Sequence, residues 1–596
     1  MDNKLSVPYL KIVNITKKYG LLCNIFCLTL FGQSSKMLIG VYVPNIVERS
    51  RIMLVKDFGK IIKREFKGYN AKKFGQDALA GVTVAAVALP LALAFGVSSG
   101  ATAAAGLITA VFAGLIIGGL SGASYQISGP TGAMTAILVS LVAQYGIQGV
   151  FIASFIAGVL LLIAGILKLG GLVSYLPMPV ITGFTSGIAI IIALGQVNNL
   201  TGLTSSGLTT IEKIGSYFTL EQHLDVTGLI IGLAVIVFMF VYPKKINQYF
   251  PGSLAAIVLA TAANMICKFD VAVVGAIPKT VFLDDRLNIS AFADWNTVKG
   301  LIIPAISIAA LGLIESLLCG ASAGRMKNEK LNADVELVAQ GIGNMIIPFF
   351  GGVPATAAIA RTSVAIKSGG QTRMTSVVHS VVLLLSMFIL GGVMSMIPLS
   401  ALAGVLIVTA WRMNDWSAIK SIFGKKIKTA IFQFLITMFA TVIFDLTVAI
   451  LIGVTFSIIM FVVKVSDMQV SVAEVDPEKL DENNVDPEKL KYTCVVYISG
   501  PLYFGTCNKL EEKISALGEN YNVIFSMRGV TVADISGIEA LHEYCERLIS
   551  SGIMVYFSCV QPPVMEMIER CGLKERFKDD MFFWSTDKAF QHISKL

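Results

Sequence analysis

The chain has 596 residues, 55% of them hydrophobic and only 14% charged. Crossing about 30 Å of hydrocarbon takes roughly 20 apolar residues, and the long uncharged runs here indicate a polytopic α-helical membrane protein, not a soluble globular one. The net charge of +8 reflects basic residues flanking the spans, not a nucleic-acid surface. The nine cysteines contain no CxxC pair and the four histidines lie in no ligand motif, so neither a disulfide framework nor a metal or other cofactor is expected.

Residues 1–75 form a basic N-terminal cytosolic segment, with a cluster from Lys56 through Lys60, Lys63, Arg64 and Lys67 to Lys72 and Lys73. The apolar run Leu21–Phe31 is too short to span and reads as an interfacial or packed segment. The membrane domain runs over 76–464. Its first half offers apolar segments near 78–97, 104–121, 131–144, 149–168, 176–195, 225–242 and 253–267. The second half offers 297–318, 335–348, 354–367, 375–396, 399–411, 427–443 and 446–464. An odd number of spans in each half requires that the halves be inverted relative to one another. The positive-inside rule agrees with this 7+7 count. With the N-terminus inside, the cytoplasmic ends carry Lys168, Lys244, Lys245, Arg325, Lys327, Lys330, Lys367, Arg373, Arg412 to Lys428, and Lys464. The exceptions, Lys213 and Lys268 to Lys299, fall in the two longest outer loops. Both termini are therefore expected in the cytoplasm.

After Lys464 the composition changes. Residues 465–490 are acidic and polar, repeat Asp476-Pro-Glu-Lys at Asp486-Pro-Glu-Lys, and read as a linker. Over 491–596, strand-like runs at Cys494–Gly500, Asn522–Met527 and Ile553–Ser558 alternate with helical patterns at Leu510–Leu517, Ile538–Ser550 and Pro563–Arg570. That alternation indicates a small α/β domain. Its cysteines read as reduced, buried thiols.

The third and tenth segments are too short to span, and each opens on a helix-breaking motif: Ser128-Gly-Pro-Thr-Gly-Ala133 and Gly351-Gly-Val-Pro-Ala-Thr-Ala-Ala358. Interrupted half-spans at matching places in two repeats point to a central substrate site. A helix N-terminus carries about half a positive charge and unpaired N–H donors, which favours an anion. Ser128 and Thr131 can offer hydroxyls, while Gly129, Gly132 and Ala133 permit close approach of the backbone; the plainer alternative is tight helix packing. On the second half-helix the matching residues are Ala358, Ile359, Ala360 and Arg361. Arg361 can pair with Glu315, attract the anion, or snorkel to headgroups. Glu315 is a carboxyl inside the eighth span, where ionisation costs on the order of 3 kcal/mol. It reads as a site that couples transport to a proton or cation, or as a protonated acid bonded between helices. Phe95, after a mid-span proline, walls the site or packs. Asp77 and Asp445 read as helix caps.

These segments resemble the SulP anion transporter family. Asp77-Ala-Leu-Ala-Gly-Val-Thr-Val, Gln126-Ile-Ser-Gly-Pro-Thr-Gly-Ala, Pro179-Val-Ile-Thr-Gly-Phe-Thr-Ser-Gly-Ile188 and Gly351-Gly-Val-Pro with Ala-Arg-Thr362 look like its signatures. The tail resembles a STAS domain at Val532-Ala-Asp-Ile-Ser-Gly-Ile-Glu-Ala-Leu541; residues 1–55 lie outside the resemblance. The resemblance implies a 14-span inverted repeat in core and gate subdomains followed by a cytosolic STAS domain, a homodimer, and elevator-like movement. It places the anion between the two half-helices, and makes Asp534 and Ser536 regulatory candidates through which cytosolic partners bind. Some relatives bind sodium through an Asp in the eighth span and a Thr one turn later. Here those positions are Glu315 and Cys319, with Ala357-Ala-Ile in the tenth span, and thiol and alkyl groups are poor ligands for a hard cation. The resulting expectation is a non-enzymatic secondary transporter of the cell membrane that takes up sulfate with protons. The alternatives are bicarbonate or a dicarboxylate such as fumarate or succinate, anion exchange, and a non-transporting STAS-based sensor or scaffold.

Overall fold

The computed structural model describes residues 56–171, 177–205, 212, 215–217, 224–247, 250–444, 446–465, 468–476, 485–503, 506, 522–577 and 579–596. The run Leu21–Phe31, Lys213, Asp445, the helix expected at Leu510–Leu517 and most of the first Asp-Pro-Glu-Lys copy lie outside the described residues. The chain divides into two compact units, one ending at Val454 and one beginning at Thr455.

The first unit is helical. Residues 56–65 form a helix whose Ile61 packs against Val335. It is followed by α1 (Ala71–Ser98), α2 (Ala103–Phe112), α3 (Gly132–Ile166), α4 (Met178–Gly195), α5 (Val226–Val241) and α6 (Gly252–Cys267). The second half contributes α7 (Trp295–Lys327), α8 (Ala333–Ile346), α9 (Ile359–Lys367), α10 (Met374–Met394), α11 (Leu399–Met413), α12 (Lys428–Ile443) and α13 (Leu446–Val465). Among the described residues, six helical stretches, Ala71–Ser98, Ala103–Leu120, Gly132–Ile166, Met178–Thr201, Trp295–Lys327 and Met374–Met394, are long and apolar enough to cross a membrane. The third and fourth predicted segments are both contained in α3. They meet at Gly146, whose φ of 67° breaks the helix there, a conformation open to glycine because it lacks Cβ.

Two groups of helices emerge from the packing. α3 lies against α7 and α8, α1 against α2, α9 and α10, and α9 against α7. In the other group α4 packs on α11 and α12, and α5 on α6 and α11. Within the first group the backbones of α1 and α2 nearly touch. A Cβ on Gly96 would lie 2.8 Å from the Gly106 nitrogen, so only glycine fits. α2 continues through a π-helical turn, Ala113–Ile117, against α10, where Ser376 donates to the Gly114 carbonyl at 2.9 Å.

Asp77 does not cap its own helix; Asn70 does, accepting from the Lys73 N–H. Asp77 is fully buried and serves the chain just before α10 instead. Its carboxylate accepts from the N–H groups of Gln371 and Thr372 and the hydroxyls of Thr372, Thr375 and Tyr69, at 2.5–3.0 Å. Beside it, Arg373 and Glu65 form a buried ion pair at 2.7 Å, and Arg373 also donates to the Gly119 carbonyl.

The second unit is an α/β layer structure with a five-stranded sheet in the order β3 (Gln469–Glu474), β4 (Thr493–Ser499), β5 (Asn522–Gly529), β6 (Met554–Ser558), β7 (Phe582–Phe583). The β3–β4 pair is antiparallel and the others are parallel. Helices α14 (Ile535–Ser550) and α15 (Pro562–Arg570) cover one face over Val496, Phe525 and Phe557; α16 (Thr586–Ile593) covers the other over Val495, Ile524 and Tyr556. Strands buried on both faces read as unbroken apolar runs, which is why β4–β6 were predictable. β3 was not: it lies in the stretch read as a linker, at the sheet edge, and is polar and largely exposed.

Candidate functional site

The two helix-breaking motifs meet. Ser128–Gly129 (β1) pairs antiparallel with Thr356–Ala357 (β2), matching Ser128 to Ala357 and Gly129 to Thr356. Ala358 N–H adds a bond to the Ile127 carbonyl at 2.9 Å. Pro130 and the glycines withhold helix, and the short extended segments satisfy each other's backbone within the protein. α3 and α9 then start on either side of this seam.

Neither start carries a side-chain cap. The first intrahelical bonds run from Thr135 to Thr131 and from Thr362 to Ala358. The N–H groups of Gly132, Ala133 and Met134, and of Ile359, Ala360 and Arg361, therefore precede the helical ladder and have no acceptor within it. Two sets of donors and two positive helix ends face one region.

Glu315 of α7 reaches both starts. The Thr131 hydroxyl donates to its Oε2 at 2.9 Å and the Thr356 hydroxyl at 2.7 Å, and the two hydroxyls lie 3.2 Å apart. Glu315 is half-buried. The expectation that the second half-helix brings no hydroxyl to this carboxyl was wrong by one residue, since Thr356 precedes the Ala357-Ala-Ile stretch. Cys319 turns elsewhere, with its sulfur 3.4 Å from the Thr362 hydroxyl.

Arg361 does not snorkel: it is 1% exposed. Its Nη2 donates to the Pro130 carbonyl of the opposite motif, and among the described residues Nη1 has no hydrogen-bond partner. No ion pair joins it to Glu315 among the described residues. A Cβ on Gly129 would lie 3.2 Å from Arg361 Cζ, so glycine is what lets the guanidinium lie along the seam.

Other predicted residues divide. A Cβ on Gly132 would lie 3.1 Å from Phe95 Cε1 and 3.0 Å from Ile192 Cγ1, so Phe95 stands at the start of α3 and Ile192 of α4 closes over it. Ala133 and Ala358 are buried at the two starts, while Ile359 and Ala360 are exposed. Ser128 is not aimed at the site; it is fully buried and its hydroxyl accepts from Gln340 Nε2 at 3.2 Å. In the second unit Asp534 caps α14, accepting from the Gly537 N–H at 2.7 Å, and Ser536 is exposed in its first turn. Thr356, Ile192, Gln340 and Asn344 went unpredicted. The polar spacing of Glu336, Gln340 and Asn344 within an apolar segment was the available signal.

Comparison with known proteins shows the family. The sulfate permease family model matches residues 74–440 and the STAS domain model residues 484–589. A putative sulfate transporter, YvdB, of Bacillus subtilis is 33% identical over 537 residues, covering 87% of this chain and 97% of that protein. The bicarbonate transporter BicA of a Picosynechococcus strain is 28% identical over 87% of this chain and 94% of its own length. Among solved structures, the murine solute carrier 26 member A9 anion transporter in its inward-facing state superposes with a TM-score of 0.75. It covers 90% of this chain and 94% of that one at 19% identity, a likeness of fold. The chain is thus a membrane transporter belonging to the sulfate permease family, with a STAS domain at its C-terminal end.

Proposed function

We propose that the protein is a secondary active transporter of the cell membrane that imports an inorganic anion, sulfate first, together with protons. The observation that carries this reading is the convergence of two uncapped helix starts on one carboxyl, Glu315, through Thr131 and Thr356. The anion takes the N–H groups at Gly132–Ala133 and Ile359–Ala360, with Arg361 adding positive charge from behind and Phe95 forming a wall. Such groups favour a small oxyanion without distinguishing one from another. A protonated Glu315 donates to the bound anion and removes the repulsion between two negative charges in a low-dielectric site; an ionised Glu315 expels it. Coupling follows from that exclusion.

Fourteen spans with both termini in the cytoplasm, a homodimer, and elevator-like movement of α1–α3 and α7–α10 against the remaining helices complete the proposal. The STAS domain offers Asp534 and Ser536 to a cytosolic partner. The similarity to a bicarbonate transporter supports a second reading in which bicarbonate is the cargo.

Reconstituted protein is tested for uptake of labelled sulfate at two pH values, with and without sodium, under an imposed proton gradient. Competition by unlabelled bicarbonate, chloride, succinate and fumarate ranks the cargo. Uptake that ignores the gradient, or a coupling unchanged by Glu315→Gln, refutes the proton mechanism. Dependence on sodium instead assigns Glu315 and the two threonine hydroxyls to a cation.

A further inference from the structure

α8 carries Glu336, Gln340 and Asn344, each four residues from the next and hence on one face. All three are essentially inaccessible, in a segment where an unpaired polar group is costly. Their partners account for their presence, although Gln340 Oε1 has no hydrogen-bond partner among the described residues. Glu336 holds the chain leading into the first motif: its Oε2 accepts the Ser121 hydroxyl at 2.6 Å and the Gly122 N–H at 3.0 Å. Gln340 Nε2 donates to Glu336 Oε1 at 2.9 Å and to the Ser128 hydroxyl at 3.2 Å. Asn344 forms a two-way clamp on the backbone of Ala355: its Oδ1 accepts the N–H at 2.7 Å and its Nδ2 donates to the carbonyl at 2.9 Å.

The two grips are equivalent in position. Ser128 lies four residues before Gly132, the first residue of α3, and Ala355 lies four residues before Ile359, the first residue of α9. Gln340 and Asn344 are one α-helical turn apart, about 6 Å along the axis, and their link is direct, Asn344 Nδ2 donating to the Gln340 carbonyl at 2.9 Å. The pairing of Ser128 with Ala357 closes the ring. A rigid helix therefore holds both lead-in segments at fixed points of its own length.

We infer that α8 sets the separation between the two sets of anion-binding N–H groups, with Gln340 and Asn344 as positioning residues that govern which anion fits. This rests on the proposed anion site and adds a determinant of affinity and selectivity that touches no anion. Displacement of one donor set by a fraction of an ångström weakens a larger tetrahedral oxyanion, held from both sides, more than a small spherical one.

The test uses the full chain in proteoliposomes, with initial rates of labelled sulfate and chloride uptake for Asn344→Asp, Asn344→Leu and Gln340→Leu. Asn344→Asp keeps the shape and the acceptor for Ala355 N–H while removing the donor. The expected result is a sulfate KM raised about tenfold, given that a displacement near 1 Å costs up to 10²-fold. The maximal rate changes less than the KM, and the sulfate-to-chloride preference falls by a similar factor. An equal loss of rate for both anions at unchanged KM marks a merely structural role and overturns the inference, as does failure of both Asn344 variants to fold. Wild-type protein that takes up neither anion, nor bicarbonate, overturns the reading beneath it instead. A wild type that transports, with variants matching it in KM and preference, overturns this inference alone.

Discussion

Replacing Gly129 with alanine tests whether Arg361 must lie against the seam. The new Cβ would stand 3.2 Å from Cζ and 3.4 Å from Nη2 of Arg361, and closer still to Nη1. Comfortable carbon contacts fall at about 3.5–4.0 Å, so the guanidinium must retreat. It is 1% exposed, so it retreats within the protein and not into solvent. Overpacking of this kind costs about 1–3 kcal/mol. Loss of the bond from the charged Nη2 to the Pro130 carbonyl adds about 1.5–3 kcal/mol. Even the lower sum, about 2.5 kcal/mol, is read as a lower melting temperature, and the shift of the guanidinium away from the two helix starts is expected to lower sulfate uptake roughly tenfold or more. Thermal melting in detergent supplies the control. Adding Gly129→Ala to Arg361→Met places the Cβ against an adaptable side chain, so its cost in that background shrinks to a few tenths of a kcal/mol, the non-additivity expected of contacting residues. Uptake by Gly129→Ala within twofold of wild type, or melting penalties that simply add, would refute the reasoning.

Three further outcomes follow from named contacts. Glu65→Ala leaves Arg373, 5% exposed at the side chain, without its buried counter-charge; the expected loss is about 3–5 kcal/mol, seen as a lower melting temperature, with a smaller loss for Glu65→Gln. Thr131→Val and Thr356→Val each remove one hydroxyl from Glu315, so sulfate uptake is expected to fall roughly tenfold, with a changed dependence on pH, while the serine replacements stay near wild type; valine variants with normal uptake and an unchanged pH profile contradict the role given to these hydroxyls. Burial pushes the Cys494 thiol up to about 11 and raises that of Cys545 as well. Both then remain protonated at pH 8 and resist iodoacetamide until urea unfolds the domain, whereas the exposed Cys267 reacts at once; mass spectrometry of labelled peptides reads the difference.

Several features were legible in the chain because a local pattern carries their physics. Gly/Pro motifs opening short apolar segments mark interrupted helices, and a carboxyl in an uncharged run marks Glu315, without reference to any distant residue. The sheet's inner strands were visible as apolar runs. What escaped depends on partners far along the chain. Asp77 looks like a cap from its place near a span boundary, yet its five donors come from Tyr69 and the Gln371–Thr375 turn. Ser128 looks available beside a glycine and a proline, but Gln340 of α8 occupies it. Thr356 precedes the Ala357-Ala-Ile stretch by one residue, and only the pairing of β1 with β2 sets it opposite Gly129 and within reach of Glu315. The strand β3 alternates Val470 and Val472 with polar residues, but it is short, exposed and directly followed by the acidic stretch that reads as a linker.

The pairing of β1 with β2 restricts how such a molecule moves. Peeling these strands apart would strand amide and carbonyl groups deep in a medium that offers them nothing, at several kcal/mol apiece. The seam therefore resists opening, and any rearrangement that keeps these bonds carries the two helix starts together. On the proposed mechanism, access from one side or the other comes from movement of this pair of starts relative to α4, whose Ile192 packs at Gly132.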